Sequence, residues 1–329
     1  MHFKRKLTSL VTTIGVVGVA LAVSLSQAAA EYPERKITMI YNYGAGSTVE
    51  TTFRVIAEEA SKIIGQPVVI ENKPGAGGRI GAEALLNAEP DGYTVGVINN
   101  SVGVNQVILK PELYFDIPKD VTPVLEAFGG DLVFVAKSEL PFDDIPSMVA
   151  YAQENPGELV FGTAGQGTTT HVGLGLLRLM ADFDVNVVHY KGATATNQAL
   201  LSGEIDLALQ DQGVVPFIDE GKVKALGVTG RNQWSEFFPG VKTVAEQGEE
   251  FANYEFSWFQ SISLPGGASD EVVAFLNGAF NQALLSEPVQ EKMVASGQIF
   301  VGGSSEDAIA KFNDTRELLR PILEAVSGN

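Results

Sequence analysis

Short apolar runs recur along the chain, separated by stretches in which apolar residues return every three or four positions. The runs at 37–41, 68–70, 93–98, 132–136, 185–189, 205–209 and 224–228 predict buried strands. Helical periodicity predicts helices over 48–64, 79–87, 146–153, 170–180, 193–202, 270–285 and 305–326. Turn residues punctuate the sequence at Asn72-Lys73-Pro74-Gly75, Pro90-Asp91-Gly92 and Leu264-Pro265-Gly266-Gly267. Strands that alternate with helices are the α/β pattern. About 300 residues beyond the N-terminal segment suit two domains rather than one core. No repeat, low-complexity tract or Pro/Ser-rich linker divides them, so the chain is expected to cross between lobes inside strands, near 128–134 and again near 254–262.

The first thirty residues depart from this pattern. Lys4, Arg5 and Lys6 precede an apolar run from Leu10 to Val23 and a small-residue end at Ala28-Ala29-Ala30, the layout of a secretory signal peptide cleaved near Ala28 or Ala30. The run is short for a membrane span. Cysteine is absent, which removes a disulfide framework and also a lipid-bearing cysteine. The expectation is a soluble periplasmic protein. Its net charge of −18 excludes the basic face that nucleic acid needs. The same charge repels anions at long range, so an anion site must rely on local dipoles.

One stretch raises the question of such a site. "FGTAGQGTTTHVG", from Phe161 to Gly173, sets three glycines and three consecutive threonines before and into a predicted helix. Thr168, Thr169 or Thr170 can cap that helix, whose first N–H groups lack intrahelical partners. One cap suffices, and the surplus of donors points to an anion at the helix N-terminus. Other motifs carry less chemistry. "NKPGAGGRIG", from Asn72 to Gly81, lacks the third glycine of a dinucleotide fingerprint at Ile80 and reads as a structural turn. His171 and His189 are the only histidines after the N-terminal segment, too few for a zinc site without carboxylates. No nucleophile elbow and no paired acid and base occur, so neither catalytic residues nor a cofactor nor a metal is expected.

Several segments together resemble a known family. "YPERKITMIYNYGAGSTVETTFR", "GQPVVIENKPGAGGRIGAEALLNAEPDGYTV", "FGTAGQGTTTHVG", "VVHYKGATATNQALLSGEIDLAL", "GKVKALGVTG" and "FSWFQSISLPGG" look like the solute receptors of tripartite tricarboxylate transporters, the TctC-like or Bug proteins. The resemblance spans nearly all of the chain after residue 30. It implies an α/β, two-lobed type II periplasmic binding protein, with lobe 1 formed by 31–131 and 255–329 and lobe 2 by 132–254. It also implies a small carboxylate ligand in the interlobe cleft, membrane permease subunits as partners, and a monomeric receptor.

Carried over residue by residue, the resemblance identifies Thr163, Ala164, Gly167, Thr168 and Thr169 as the second-lobe gripping loop, where Gly165 and Gly167 let backbone donors approach a ligand. Tyr43, Gly44, Ala45, Gly46, Ser47 and Thr48 form its first-lobe partner. There the chain departs from the family, with Asn42-Tyr43 in place of Pro-Phe, Ser47 in place of a glycine and Glu50 in place of an aspartate. Ser47-x-x-Glu50 also matches a capping box, the alternative being that Glu50 receives an amino or hydroxyl group. Arg54 is expected to pair with Glu50 or Glu58. Asn100 and Ser101, at the end of the third strand, join the site list, as do Lys191 and Asp211, while Trp258 is expected in the core. Three functions stay open: a receptor feeding a permease, a sensor using the same cleft, and an exported enzyme.

Overall fold

The computed structural model describes residues 32–230 and 237–327, so the expected signal peptide lies outside the described residues. The chain divides into two compact units, Met1–Arg35 and Lys36–Asn329, and everything below concerns the second. Two sheets organise it. The first contains β1 (Ile37–Tyr41), β2 (Val68–Asn72), β3 (Thr94–Asn99), β4 (Val121–Gly130), β10 (Trp258–Pro265) and β11 (Ile299–Gly302), in the order β11-β4-β10-β3-β1-β2. The second contains β5 (Val133–Lys137), β6 (Val160–Thr163), β7 (Asn186–His189), β8 (Leu207–Gln210) and β9 (Val223–Val228), in the order β7-β6-β8-β5-β9.

β1 pairs in parallel with β2 and β3, and β6 with β7 and β8. The strands that carry the chain between sheets are antiparallel to their neighbours: β10 to β3 and β4, and β5 to β8 and β9. This is the two-lobed α/β architecture of a type II periplasmic binding protein.

The sequence pattern explains the elements. Helix Thr48–Ile64 buries Phe53, Ile56, Ala57 and Ala60, at helical spacing, against the first sheet, while Ser47 caps its start and Gly65, at φ 76°, ends it. Burying Phe53 and Ile56 contributes about 1.5–3 kcal/mol each. Aromatic rings then run from the start of this helix toward the crossover: Tyr41 to Phe53 at 5.9 Å, Phe53 to Phe128 at 5.0 Å, Phe128 to Trp258 at 6.0 Å. Such a packed row holds the loop after β1 rigidly above the sheet.

The periodicity misses four strands. β4 contains Pro123 and Glu126, which interrupt the apolar reading, and Pro123 sits where the β4–β10 register shifts. β6 is only four residues long and merges with the glycine loop. β10 is broken by polar Gln260, Ser261 and Ser263, and β11 is a short edge strand. Helix Glu287–Ala295 is missed too, because charged residues and Pro288 dilute its pattern.

Where the chain first leaves the first sheet it bonds to the end of β9, and the returning segment bonds to it through Trp258. Leu132 donates its N–H to Thr229 Oγ1 at 2.9 Å, and Thr229 donates its N–H to Leu132 O at 2.8 Å. Trp258 Nε1 donates to Asp131 O at 2.9 Å. Among the described residues, no helix is long and apolar enough to cross a membrane.

Candidate functional site

A cavity of about 270 Å³ opens between the two sheets. From the first sheet it is lined by the loop after β1, the end of β3 and the start of β10; from the second, by the loop after β6, residues 191–198 and the end of β8. Apart from the start of antiparallel β10, these are the C-terminal ends of parallel strands and the loops that follow them, where α/β folds hold ligands.

Ten expected residues line this cavity: Tyr43, Gly44, Ala45, Ser47 and Ser101 from one side, and Ala164, Thr168, Thr169, Lys191 and Asp211 from the other. Five do not. Gly46, at φ 94°, donates its N–H to Glu50 Oε2 at 3.2 Å, outside the lining. Thr48 begins the helix below. Asn100 turns to the crossover, where its Oδ1 accepts the Phe259 N–H at 3.4 Å. Thr163 is fully buried, 2.7 Å from His189 Nδ1. Gly167 lines a neighbouring depression with Gln106, His171 and Arg178.

The three threonines answer the question posed by their loop, and correct one expectation. Thr168 occupies the N-cap position without capping through its side chain, because its hydroxyl donates to Gly165 O at 2.7 Å. Ser101 caps instead: its Oγ accepts the Thr169 N–H at 3.0 Å and lies 3.0 Å from Thr169 Oγ1. Thr170 Oγ1 accepts the Ala164 N–H at 2.9 Å. Gly165 N–H goes to Thr163 Oγ1 and Gly167 N–H to His171 Nδ1. The surplus donors therefore build the loop and fasten it to the first sheet.

Unused backbone donors lie across the cleft. The N–H groups of Gly44 and Ala45 make no hydrogen bond among the described residues, and they stand before the N-terminus of a 17-residue helix. That terminus carries the positive end of the helix dipole. Ser47 Oγ accepts the Glu50 N–H at 3.1 Å and lies 3.3 Å from Tyr41 OH. Glu50 is buried below, where its carboxylate reaches back to Gly46 rather than to Ser47 and pairs with Arg54 at 2.5 Å. Asn42 points inward and donates to Val97 O at 2.7 Å. Burial raises the pKa of Tyr43 above the usual tyrosine value and that of Tyr41 well above it, so both remain protonated donors.

The turn "NKPGAGG" acts as a strut under both loops. Gly77 O accepts from Gln106 Nε2 at 2.8 Å and from Tyr43 OH at 3.3 Å. At φ 64°, Gly77 lies so close to the second loop that a Cβ there would stand 2.9 Å from Gln166 O.

Other lining residues fall outside the expected list. Tyr41 and Leu132 read as core, and Trp258, expected only to pack, does both. Gln210 and Gln260 are 2% and 7% exposed, and the Oε1 of each has no partner. A polar residue within an otherwise apolar buried run was the available signal for both, and burial without a partner is costly. Among the described residues, no three His, Asp or Glu side chains gather to hold a metal.

Residues 52–327 match the family model described as tripartite tricarboxylate transporter family receptor. Over 297 residues the chain is 30% identical to Protein BugT of Bordetella pertussis (strain Tohama I), covering 88% of this chain and 89% of BugT. Among solved structures, R. palustris Rpa4515 with adipate is 25% identical, with a TM-score of 0.84 and coverage of 91% of this chain and 99% of that one. MatC of Rhodopseudomonas palustris with bound malate is 27% identical, with a TM-score of 0.81 and coverage of 89% and 100%.

Proposed function

This chain belongs to the tripartite tricarboxylate transporter receptor family, and from that premise we propose that it is an extracytoplasmic solute receptor. It binds a small carboxylate between its two lobes, residues 31–131 with 255–329 and residues 132–254, and delivers it to the membrane subunits of a tripartite tricarboxylate-type transporter. The observation that carries this reading is the pair of N–H groups at Gly44 and Ala45 that have no partner among the described residues, on residues that line a cavity between the two sheets. A carboxylate there accepts hydrogen bonds from backbone donors and gains the field of the helix N-terminus without a paired cation. Adipate and malate in the structural relatives support the same ligand chemistry.

Among the described residues the cleft presents no positioned nucleophile and no acid–base pair, so binding without turnover fits it better than catalysis. The signal-peptide layout of residues 1–30 supports export to the periplasm. A thermal-shift screen of organic acids against the purified protein, followed by calorimetry and product analysis, tests the reading. One acid should bind and be recovered unchanged. Turnover would replace the receptor with an enzyme, and a panel without any binder would remove the carboxylate.

A further inference from the structure

The depression beside the cleft is the larger of the two cavities, at about 510 Å³ against about 270 Å³. The loop after β6 separates them: Thr168 and Thr169 line the cleft, whereas Gln166 and Gly167 line the second cavity. Residues 106–110, which follow β3, meet that loop from the other side. A Cβ on Gly167 would stand 2.9 Å from Gln106 Cγ, and Lys110 Nζ donates to Gln166 Oε1 at 3.3 Å.

The lining of this second cavity has two characters. His171, Gly175, Arg178 and Leu179 recur at helical spacing, so one face of helix Thr169–Ala181 borders it. Leu179 is 45% exposed there, and Leu109 and Phe183 extend the apolar surface. Lys110 and Arg178 supply two cations against one acid, the exposed Asp182. Arg178 donates from Nε to Phe183 O at 3.1 Å and from Nη2 to Asp184 at 3.2 Å, which leaves its Nη1 without a hydrogen bond among the described residues. His171 adds no charge at neutral pH, because burial, and then His189 and Arg178, lower its pKa to about 4. In a chain with 40 acidic and 22 basic residues, this is a local reversal of sign beside exposed apolar surface.

We propose that this second cavity is a binding site for a small amphiphilic anion, with its head on Lys110 and Arg178 and its apolar body on Leu109, Leu179 and Phe183. A cavity of this volume holds a small molecule. Exposed ion pairs are weak and screened, so the apolar body supplies most of the affinity while the two cations select the sign. The site is separate from the cleft and does not depend on what the cleft binds.

Octanesulfonate, methanesulfonate and octyltrimethylammonium, titrated calorimetrically into the purified protein, test this. Octanesulfonate should bind, and the other two should bind at least about tenfold more weakly, one for its missing body and the other for its sign. Leu179→Glu, at an exposed position, should weaken octanesulfonate by a similar factor without changing the thermal midpoint. Lys110→Gln combined with Arg178→Gln should remove the preference for the sulfonate over the ammonium. Gly44→Phe, which fills space in the cleft where an added Cβ meets nothing within 4 Å, should leave octanesulfonate binding at the second cavity as it was. Absent binding of octanesulfonate, equal binding of the ammonium, a preference that survives the double variant, or a Leu179→Glu protein that titrates like the wild type overturns the proposal. Loss of binding in Gly44→Phe overturns it too, by assigning the sulfonate to the cleft.

Discussion

Ser101 Oγ accepts the backbone N–H of Thr169 at 3.0 Å, so the first free donor of helix Thr169–Ala181 is capped by a side chain from the other sheet. Both residues are buried, at 3% and 8% exposure. The bond therefore joins the two lining surfaces of the cleft directly. Ser101→Ala leaves that N–H buried without a partner and should cost about 1–3 kcal/mol in urea unfolding of the ligand-free protein. An unchanged midpoint would mean that the cap contributes nothing.

Gly77 should tolerate no side chain. Its φ of 64° disfavours L-residues, and an added Cβ would press on Gln166 O at 2.9 Å and Gln106 Nε2 at 2.8 Å. Gly77→Ala is expected to cost about 1–3 kcal/mol by combining a left-handed backbone with overpacking. Because the strut supports both loops, ligand affinity should fall as well. Normal affinity in a folded variant would uncouple the strut from the site.

His171 makes stability depend on pH in a definite direction. Burial first, and then the charges of His189 and Arg178, lower its pKa from 6.5 to about 4, and its Nδ1 accepts the Gly167 N–H. Between these two values the unfolded chain holds the extra proton and the folded one does not, so this residue's contribution to stability is lost as pH falls from about 6.5 to about 4. Asp131 works oppositely: burial and Glu255 push it up to about 6, which lowers stability as pH rises from 3.8. His171→Asn retains an acceptor but no titration. The stability of the wild type relative to this variant should rise with pH across that window, and parallel pH profiles would contradict the assignment.

Salt should affect binding only weakly. The loops at 44–48 and 163–170 contain neither lysine nor arginine, and Lys191, the one cation lining the cavity, is exposed. Exposed charge pairs contribute about 0–1 kcal/mol and are screened, whereas N–H donors at short range are not. Lys191→Gln should change the dissociation constant by less than about fivefold. A tenfold loss between low and high sodium chloride would transfer the grip to that ammonium.

A ligand that touches both lobes should favour a closed arrangement over an open one. The two crossing segments, at Asp131 and Trp258, bond to each other through Trp258 Nε1 and Asp131 O and form the natural hinge. Bound ligand at a hundred times its dissociation constant should add about 2.7 kcal/mol of stability. Small-angle scattering of the protein with its ligand should show a smaller radius of gyration. An identical curve would place the whole interaction within one lobe.

The sequence alone determined the α/β class and most elements, because burial imposes a period on apolar residues that survives without coordinates. Helix Thr48–Ile64 shows this: its apolar spacing, the cap at Ser47 and the stop at Gly65 are all local, and its bounds agree with the expectation to the residue. The family was legible too, through the order and spacing of several glycine-rich segments. Only the tertiary structure decided which donors are free. Thr168, Thr169 and Thr170 looked like an offered set, yet their partners are Gly165, Ser101 and Ala164, and Ser101 comes from 68 residues away. Gln260 escaped notice for a related reason: what a buried amide means depends on the absence of a partner, and that is a property of everything packed around it rather than of the strand that carries it.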